Sequence, residues 1–392
     1  VKKKFVLILL LLFISNGFSQ QITLSNRAEI SVITVDPGTE QLYDTFGHSA
    51  FRVKDDILRM DLAYNYGIFD FNTPNFYTKF AQGKLLYELA AYPFSAFYRS
   101  YAQENRRIRE QVLDLTQEEK QAFFNFLQNN AKPENKSYLY DFFYDNCATK
   151  LKEVAENVLE QNVEFNTSFI EGKNETLRSL IHQYSKQKHP WGTFGIDLAL
   201  GAIIDKKATT KDYLFLPDNI FNAYAESTIN GKPIVKKTNT LFTPKEQKIP
   251  VALFSPTIIF SLFALLFLWI TYRDYKKQKR SKWVDFILFL CTGLIGVVVL
   301  LLWFATDHTA TKDNYNALWA FMPNLIVAFI VVKNNLPLWI KNYLFLVLIL
   351  LIVTIILWIF KIQVFAVGII PLLIVLGVRY LFLLKTIDLK TD

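Results

Sequence analysis

Apolar residues are laid out along this chain in two different ways. From Gln20 to Lys248 they recur at short periods and are broken by charge, whereas from Pro250 onward they come in long blocks. Five blocks can be drawn, about Val251–Tyr272, Trp283–Phe304, Ala317–Val332, Tyr343–Phe360 and Val364–Leu384. A spanning helix needs about 20 mostly apolar residues, so the pattern predicts an all-α transmembrane bundle of about five helices, the third being the shortest. Before Pro250 the periods are mixed. Ile22–Leu24, Ala28–Val35, His48–Val53 and Met60–Phe71 read as strands. Thr116 with Glu119 three residues on forms a capping box, and Phe123, Phe124 and Leu127 give the following helix an apolar face. A second helix is predicted from Cys147, with Leu151, Val154, Ala155, Val158 and Leu159 at helical spacing. Asn230-Gly231, between Ala225–Ile229 and Pro233–Val235, predicts a hairpin turn. This half is therefore α+β.

The chain opens with Val1-Lys2-Lys3-Lys4, an uncharged run Phe5–Ile14, and small residues at Gly17 and Ser19. That is the pattern of a secretory signal cleaved after Ser19, the apolar run being short for a bilayer about 30 Å thick. The predicted division is a signal peptide over 1–19, an exported α+β domain over 20–249 and a membrane domain over 250–392. Charge in the loops gives the orientation independently. Arg273, Lys276, Lys277, Lys279, Arg280 and Lys282 cluster between the first two blocks and stay on the cytoplasmic side. The loop with Asp307, His308, Lys312 and Asp313 lacks that bias and faces out, while Lys333, Lys341, Arg379, Lys385 and Lys390 return inside. The 20–249 domain then lies outside the cytoplasm, on a multi-pass protein of the inner (cytoplasmic) membrane. The net charge of +8 is accounted for by these flanks. No basic stripe with interleaved aromatics argues for nucleic acid.

Two cysteines are present. Cys291 falls in an apolar block and reads as a small lipid- or helix-facing side chain. Cys147 is left without a disulfide partner in an oxidising compartment, where a retained thiol points to nucleophilic chemistry. In Tyr144-Asp145-Asn146-Cys147, Asp145 or Asn146 caps a helix whose first turn holds Cys147. There the helix dipole and free N–H groups favour a thiolate and could receive an oxyanion. A thiol nucleophile needs a base. Of four histidines, His308 is in an outer loop, and His182 and His189 flank the basic stretch Tyr184–Lys188, where surface positions are expected. His48, after Gly47 and at the start of an alternating strand, is the candidate. A third group orients such a base. On the next strand Asp61, Ala63, Asn65 and Gly67 share one face, and Asn65 or Asp61 could serve.

A strand histidine followed about a hundred residues later by Asn-Cys at a helix start resembles circularly permuted papain-like folds, among them NlpC-type and lecithin:retinol acyltransferase-like enzymes. A closer resemblance is to the family named for Lnb, the lipoprotein N-acyltransferase of Bacteroides-type bacteria. It rests on Phe46–Val53, Tyr64–Phe71, Glu104-Asn105-Arg106, Tyr144–Leu151, Pro190-Trp191-Gly192, Gly195–Gly201 and Thr306-Asp307-His308, which lie in both halves of the chain. The resemblance implies acyl transfer from a membrane glycerophospholipid to the N-terminal amine of a diacylglyceryl lipoprotein, through a Cys147 thioester formed with His48 as base and Asn65 as its partner. No metal or cofactor is called for, because a thioester keeps the energy of the ester. Asp61, Arg106, His308 and Asn314 become candidates for substrate contacts, although Arg106 also has Glu104 nearby as a pairing partner. Two other classes remain compatible with the residues: a membrane-anchored cysteine peptidase or amidase acting on cell-wall peptides, and a non-enzymatic membrane sensor or assembly module.

Overall fold

The computed structural model describes residues 22–246 and 254–388. The expected signal peptide and the expected boundary at residues 249/250 lie outside the described residues. Strand β1 (Glu29–Val35) is buried on both faces beyond its first residue. Ile30 and Val32 enter one core, and Ile33 and Val35 enter a second. Such a strand belongs in the middle of a covered sheet, and its neighbours put it there. They are β2 (His48–Asp55), β3 (Met60–Ile68), a short helix α1 (Phe76–Gln82), β4 (Leu86–Pro93), α2 (Phe94–Gln103), β5 (Ile108–Leu113), α3 (Gln117–Asn130), β6 (Ser137–Leu139) and α4 (Cys147–Leu159). After β7 (Val163–Glu164) come α5 (Leu177–Ser185), α6 (Pro190–Ala199), α7 (Pro217–Glu226), β8 (Thr228–Ile229), β9 (Lys232–Pro233) and β10 (Val235–Phe242). Seven strands form one antiparallel sheet in the order β10-β5-β1-β2-β3-β4-β6, and β7-β8-β9 form a small second sheet. The larger core, including Val32, Phe51, Val53, Tyr64, Leu151 and Tyr224, lies between the sheet and α3, α4, α5 and α7. The smaller one packs Phe94 and Phe97 of α2 on the opposite face.

The α+β expectation matches this domain. The capping box at Thr116 is formed, with Thr116 Oγ1 accepting from Glu119 N and Glu119 Oε2 accepting from Thr116 N. Asn230 and Gly231 take φ of 51° and 73°, as an Asn-Gly hairpin turn needs, although residues 225–226 finish α7 instead of starting a strand. The segment Ile22–Leu24 is not a strand. Leu24 N donates to Gln121 Oε1 and Leu24 O accepts from Gln117 Nε2, so side-chain amides of α3 take the groups a sheet neighbour would have taken.

In the second half, α8 (Pro256–Lys277) and α9 (Lys282–Phe304) are followed by two short helices, α10 (Asn316–Trp319) and α11 (Asn324–Val331), and then by α12 (Trp339–Ile359) and α13 (Ile370–Asp388). Among the described residues, four helices are long and apolar enough to cross a membrane. The third expected span is not one helix. Pro323 lacks an N–H and its ring obstructs a continuous helix, so the segment breaks between Trp319 and Asn324. Its two ends still touch opposite ends of the bundle. Tyr315 N donates to Gln363 Oε1 beside the loop that contacts the N-terminal domain, whereas Lys333 O accepts from Arg280 at the basic end. At that basic end Arg379 of α13 is fully buried and pairs with Asp285 (2.6 Å) and Asp274 (2.9 Å), tying α8, α9 and α13 together. Cys291 is exposed on α9, in agreement with a lipid-facing position.

The two halves are joined through α6. Phe194 and Leu198 pack on the membrane-domain core. Asn314 Nδ2 donates to Leu198 O and Ala199 O, and Asn316 Nδ2 donates to Asp197 O. Gly201 N and Ala202 N donate to Ala310 O and Asp313 O. A Cβ on Gly201 would lie 1.9 Å from Lys312 O, so a side chain there would force the halves apart. Arg178, buried on α5, holds α6 and the turn after it through Asp197 (2.9 Å), Asp205 (2.8 Å) and the carbonyls of Leu200 and Gly201.

Candidate active site

Three of the expected residues meet where β2 begins. His48 is placed by Gly47, whose φ of +84° and approach to Val35 O (2.8 Å from a would-be Cβ) admit only glycine without strain. The chain then turns directly into β2. Asn65 projects from β3 on the same face, and its Oδ1 lies 2.5 Å from His48 Nε2. An amide oxygen only accepts, so Nε2 carries the proton and Nδ1 is left with a free lone pair. Asn65 Nδ2 donates to Tyr92 Oη on β4 at 2.8 Å, which holds the amide in that orientation. The imidazole is stacked on Tyr101 of α2 at 5.8 Å, and the Arg106 guanidinium lies over the same Tyr101 ring at 4.8 Å.

Cys147 arrives from the other direction, on the first turn of α4. Asn146 caps this helix: its Oδ1 accepts from Ala148 N and Thr149 N, while Thr149 Oγ1 accepts from Asn146 N. The cap is anchored in turn, since Asn146 Nδ2 donates to Phe142 O and Phe215 O. Opposite, β3 carries an irregularity between Tyr66 and Ile68, with Gly67 at φ +92°. The Cys147 Cβ is 3.8 Å from where a Gly67 Cβ would sit, so the bulge leaves room for the thiol. The N–H groups of Ser49, Ala148 and Cys147 all lower the thiol's pKa by hydrogen bonding to it. Ser49 is the residue after His48, so this contact brings the thiol to the His48–Ser49 peptide.

The electrostatics differ from the expected thiolate. Burial pushes the Cys147 thiol up to about 11, outweighing the three N–H groups and the Arg106 charge that act in the opposite direction. Burial likewise pushes His48 down to about 4, against the Asn65 hydrogen bond and with help from Arg106. Burial therefore favours the neutral form of both the thiol and the imidazole at neutral pH. Desolvation disfavours both charged forms here, and three dipoles with one cation do not offset it. Proton transfer would have to accompany attack by sulfur.

The remaining expected residues are each engaged within the protein. Asp61 holds Arg52 in a two-point ion pair, both contacts at 2.8 Å, and Arg52 also meets Glu110 at 3.0 Å. Asn314 is fully buried beneath α6, with its amide engaged there. His308 Nε2 donates to Phe80 O near the end of α1 (3.0 Å). Arg106 pairs with Glu104 at 2.9 Å and donates to Asp36 O, behind Tyr101. His182 is half-buried against Asp197 at 2.8 Å instead of being a free surface residue, and His189 is also half-buried. Sequence reasoning missed Tyr92, which holds Asn65, and Tyr101, Tyr138 and Tyr140, which lie around the thiol. Among the described residues no group of three or more His, Cys, Asp or Glu side chains is arranged to hold a metal ion.

Residues 18–183 match the model of the Lnb N-terminal periplasmic domain, and residues 246–390 match that of the Lnb transmembrane domain. The chain belongs to the Lnb family. As an Lnb-type protein it has an N-terminal periplasmic α/β domain and a C-terminal helical membrane region. No curated protein and no solved structure matches it.

Proposed function

We propose that this Lnb-type protein is a lipoprotein N-acyltransferase of the inner membrane, with a periplasmic domain of permuted papain-like type, Cys147 as nucleophile, His48 as base and Asn65 as the residue that orients the base. The observation that carries the reading is the Nε2–Asn65 contact, which leaves His48 Nδ1 as the basic atom, together with the thiol's hydrogen bond from the N–H of the next residue, Ser49. Sulfur attacks an ester carbonyl of a glycerophospholipid as His48 takes its proton; the C–S bond forms and the ester C–O bond breaks. His48 returns the proton to the departing glycerol oxygen, giving a lysophospholipid. The amine of a diacylglyceryl lipoprotein then attacks the thioester; C–N forms, C–S breaks, and the amine proton passes through His48 back to sulfur. The Ser49 and Cys147 N–H groups would receive the oxyanion in both halves.

The test is mass spectrometry of lipoprotein N-termini from cells carrying the wild type or Cys147→Ala. Loss of one amide-linked acyl chain in the variant, with a free amine exposed, supports the reading. Unchanged N-termini in cells with no second N-acylating enzyme would sink it. Altered wall peptides in that variant would favour a cysteine peptidase or amidase on the same triad, and a variant silent in both assays would favour a non-enzymatic module.

A further inference from the structure

One exposed surface is connected to the Cys147 pocket by touching rings. Tyr140 borders the thiol: its Cε2 is 3.9 Å, and the Cys147 Cβ 3.8 Å, from the Cβ position of Gly67. Tyr140 stacks on Tyr87 with centroids 4.3 Å apart, and Tyr87 meets Phe69 edge-on at 5.3 Å. Phe69 contacts Phe71 at 5.0 Å and Phe76 at 5.8 Å, and Phe76 continues to Tyr77 and Phe80 along α1. The row ends in the open, with Phe71 63%, Tyr77 77% and Phe80 52% exposed.

The position of this end identifies what it faces. The loop after α9 holds α1 by its C-terminus: Asp307 N donates to Gln82 O (2.8 Å), His308 Nε2 donates to Phe80 O (3.0 Å), and Gly83 lies against His308. That loop starts where α9 ends at Phe304, itself 72% exposed. The ring patch thus adjoins the apolar surface of the bundle at the end nearest the N-terminal domain. No acidic residue lies on α1; Lys79 and Lys84 lie at its C-terminal end, Lys84 3.9 Å from Asp307, and the exposed Asp70 between Phe69 and Phe71 accepts from Asn72 N and Nδ2. Aromatic side chains rimmed by lysine at the level where spanning helices emerge suit the boundary between headgroups and acyl chains.

We infer that α1 and the Phe69–Phe71 turn insert into the periplasmic leaflet of the bilayer that this chain's own helices cross, and that the ring row is the surface along which a phospholipid acyl chain reaches Cys147. The insertion stands on its own; the passage of an acyl chain rests on the acyl-transfer reading.

Both parts are tested on the full-length protein in phosphatidylethanolamine–phosphatidylglycerol nanodiscs. In a Cys147→Ala/Cys291→Ala background, a nitroxide is attached at Tyr77→Cys and, as a control, at the exposed Glu118→Cys on α3. Insertion predicts that the probe at 77 collides with oxygen in preference to a water-soluble nickel chelate, and that the probe at 118 does the opposite. Equal behaviour of the two probes overturns insertion. With Cys147 intact, Phe71→Ser/Tyr77→Ser/Phe80→Ser is compared with wild type for thioester formation from nanodisc phospholipid and from soluble p-nitrophenyl butyrate. The ratio of the two rates is expected to fall by at least about tenfold, as loss of buried aromatic area at the membrane implies. An unchanged ratio overturns the passage. A wild type that phospholipid never acylates removes the acyl-transfer reading and the passage with it, while the probe depths still decide insertion.

Discussion

The Arg178 cluster is buried and the Cys147 pocket half-buried, both polar and within one domain, and they answer desolvation in opposite ways. Arg178, 1% exposed, faces Asp197, Asp205 and two carbonyls, so its guanidinium is surrounded by acceptors. The Cys147 pocket offers its thiol and imidazole far less: one amide oxygen for His48 and three N–H groups for the thiol. A buried charge persists only when paired and hydrogen-bonded, and that is the state around Arg178. Where pairing falls short, burial keeps the groups neutral, and that is the state around Cys147. The first cluster holds α6 and the turn after it; the second leaves its thiol and imidazole uncharged.

Substitutions separate the two clusters. The largest effect expected is on folding: Arg178→Ala strands two buried carboxylates and should cost about 3–5 kcal/mol, read as a lowered denaturation midpoint of the detergent-solubilised protein. An unchanged midpoint would mean that the cluster does not hold α6. In the other pocket, the raised thiol pKa sets the pH dependence. Below about 11 the thiol is protonated, so alkylation of Cys147 by iodoacetamide should rise about tenfold per pH unit between pH 7 and 10. A plateau across that range would reveal a preformed thiolate–imidazolium pair and refute the neutral one. Asn65→Ala frees the His48 ring and should lower the acylation rate by about one to two orders of magnitude with little change in the midpoint; a lowered midpoint at unchanged rate would make Asn65 structural. The smallest effect is assigned to Asp61→Asn. Its carboxylate is 39% exposed and Arg52 retains Glu110, so about 1 kcal/mol or less should be lost, with thioester formation unaltered.

Much of the candidate site was legible because local rules dictate it. Asn146 before an apolar 3.6-residue period announces a cap, and Cys147 follows it. Gly47 before an alternating strand announces a tight start, and His48 follows that. Period-two alternation placed Asn65 and Asp61 on one face but could not choose between them, because the choice depends on how far each lies from the start of β2. The register pairs Lys54 with Asp61 and Phe51 with Tyr64, which puts Asp61 beside Arg52 near the far end and leaves Asn65 next to His48. The broken third membrane segment had a readable signal in Pro323, which hydropathy alone passes over.

By itself the sequence determined the exported α+β half, the apolar helical half and the residues able to do thiol chemistry, since periodicity, capping and charge bias act over a few neighbours. Only the tertiary structure decided that burial disfavours the charged forms of the thiol and the imidazole, that Arg106 lies behind Tyr101, and that Asn314 is a joint between the halves. Burial and pairing of those groups are set by residues tens to hundreds of positions away, and no local pattern carries that distance.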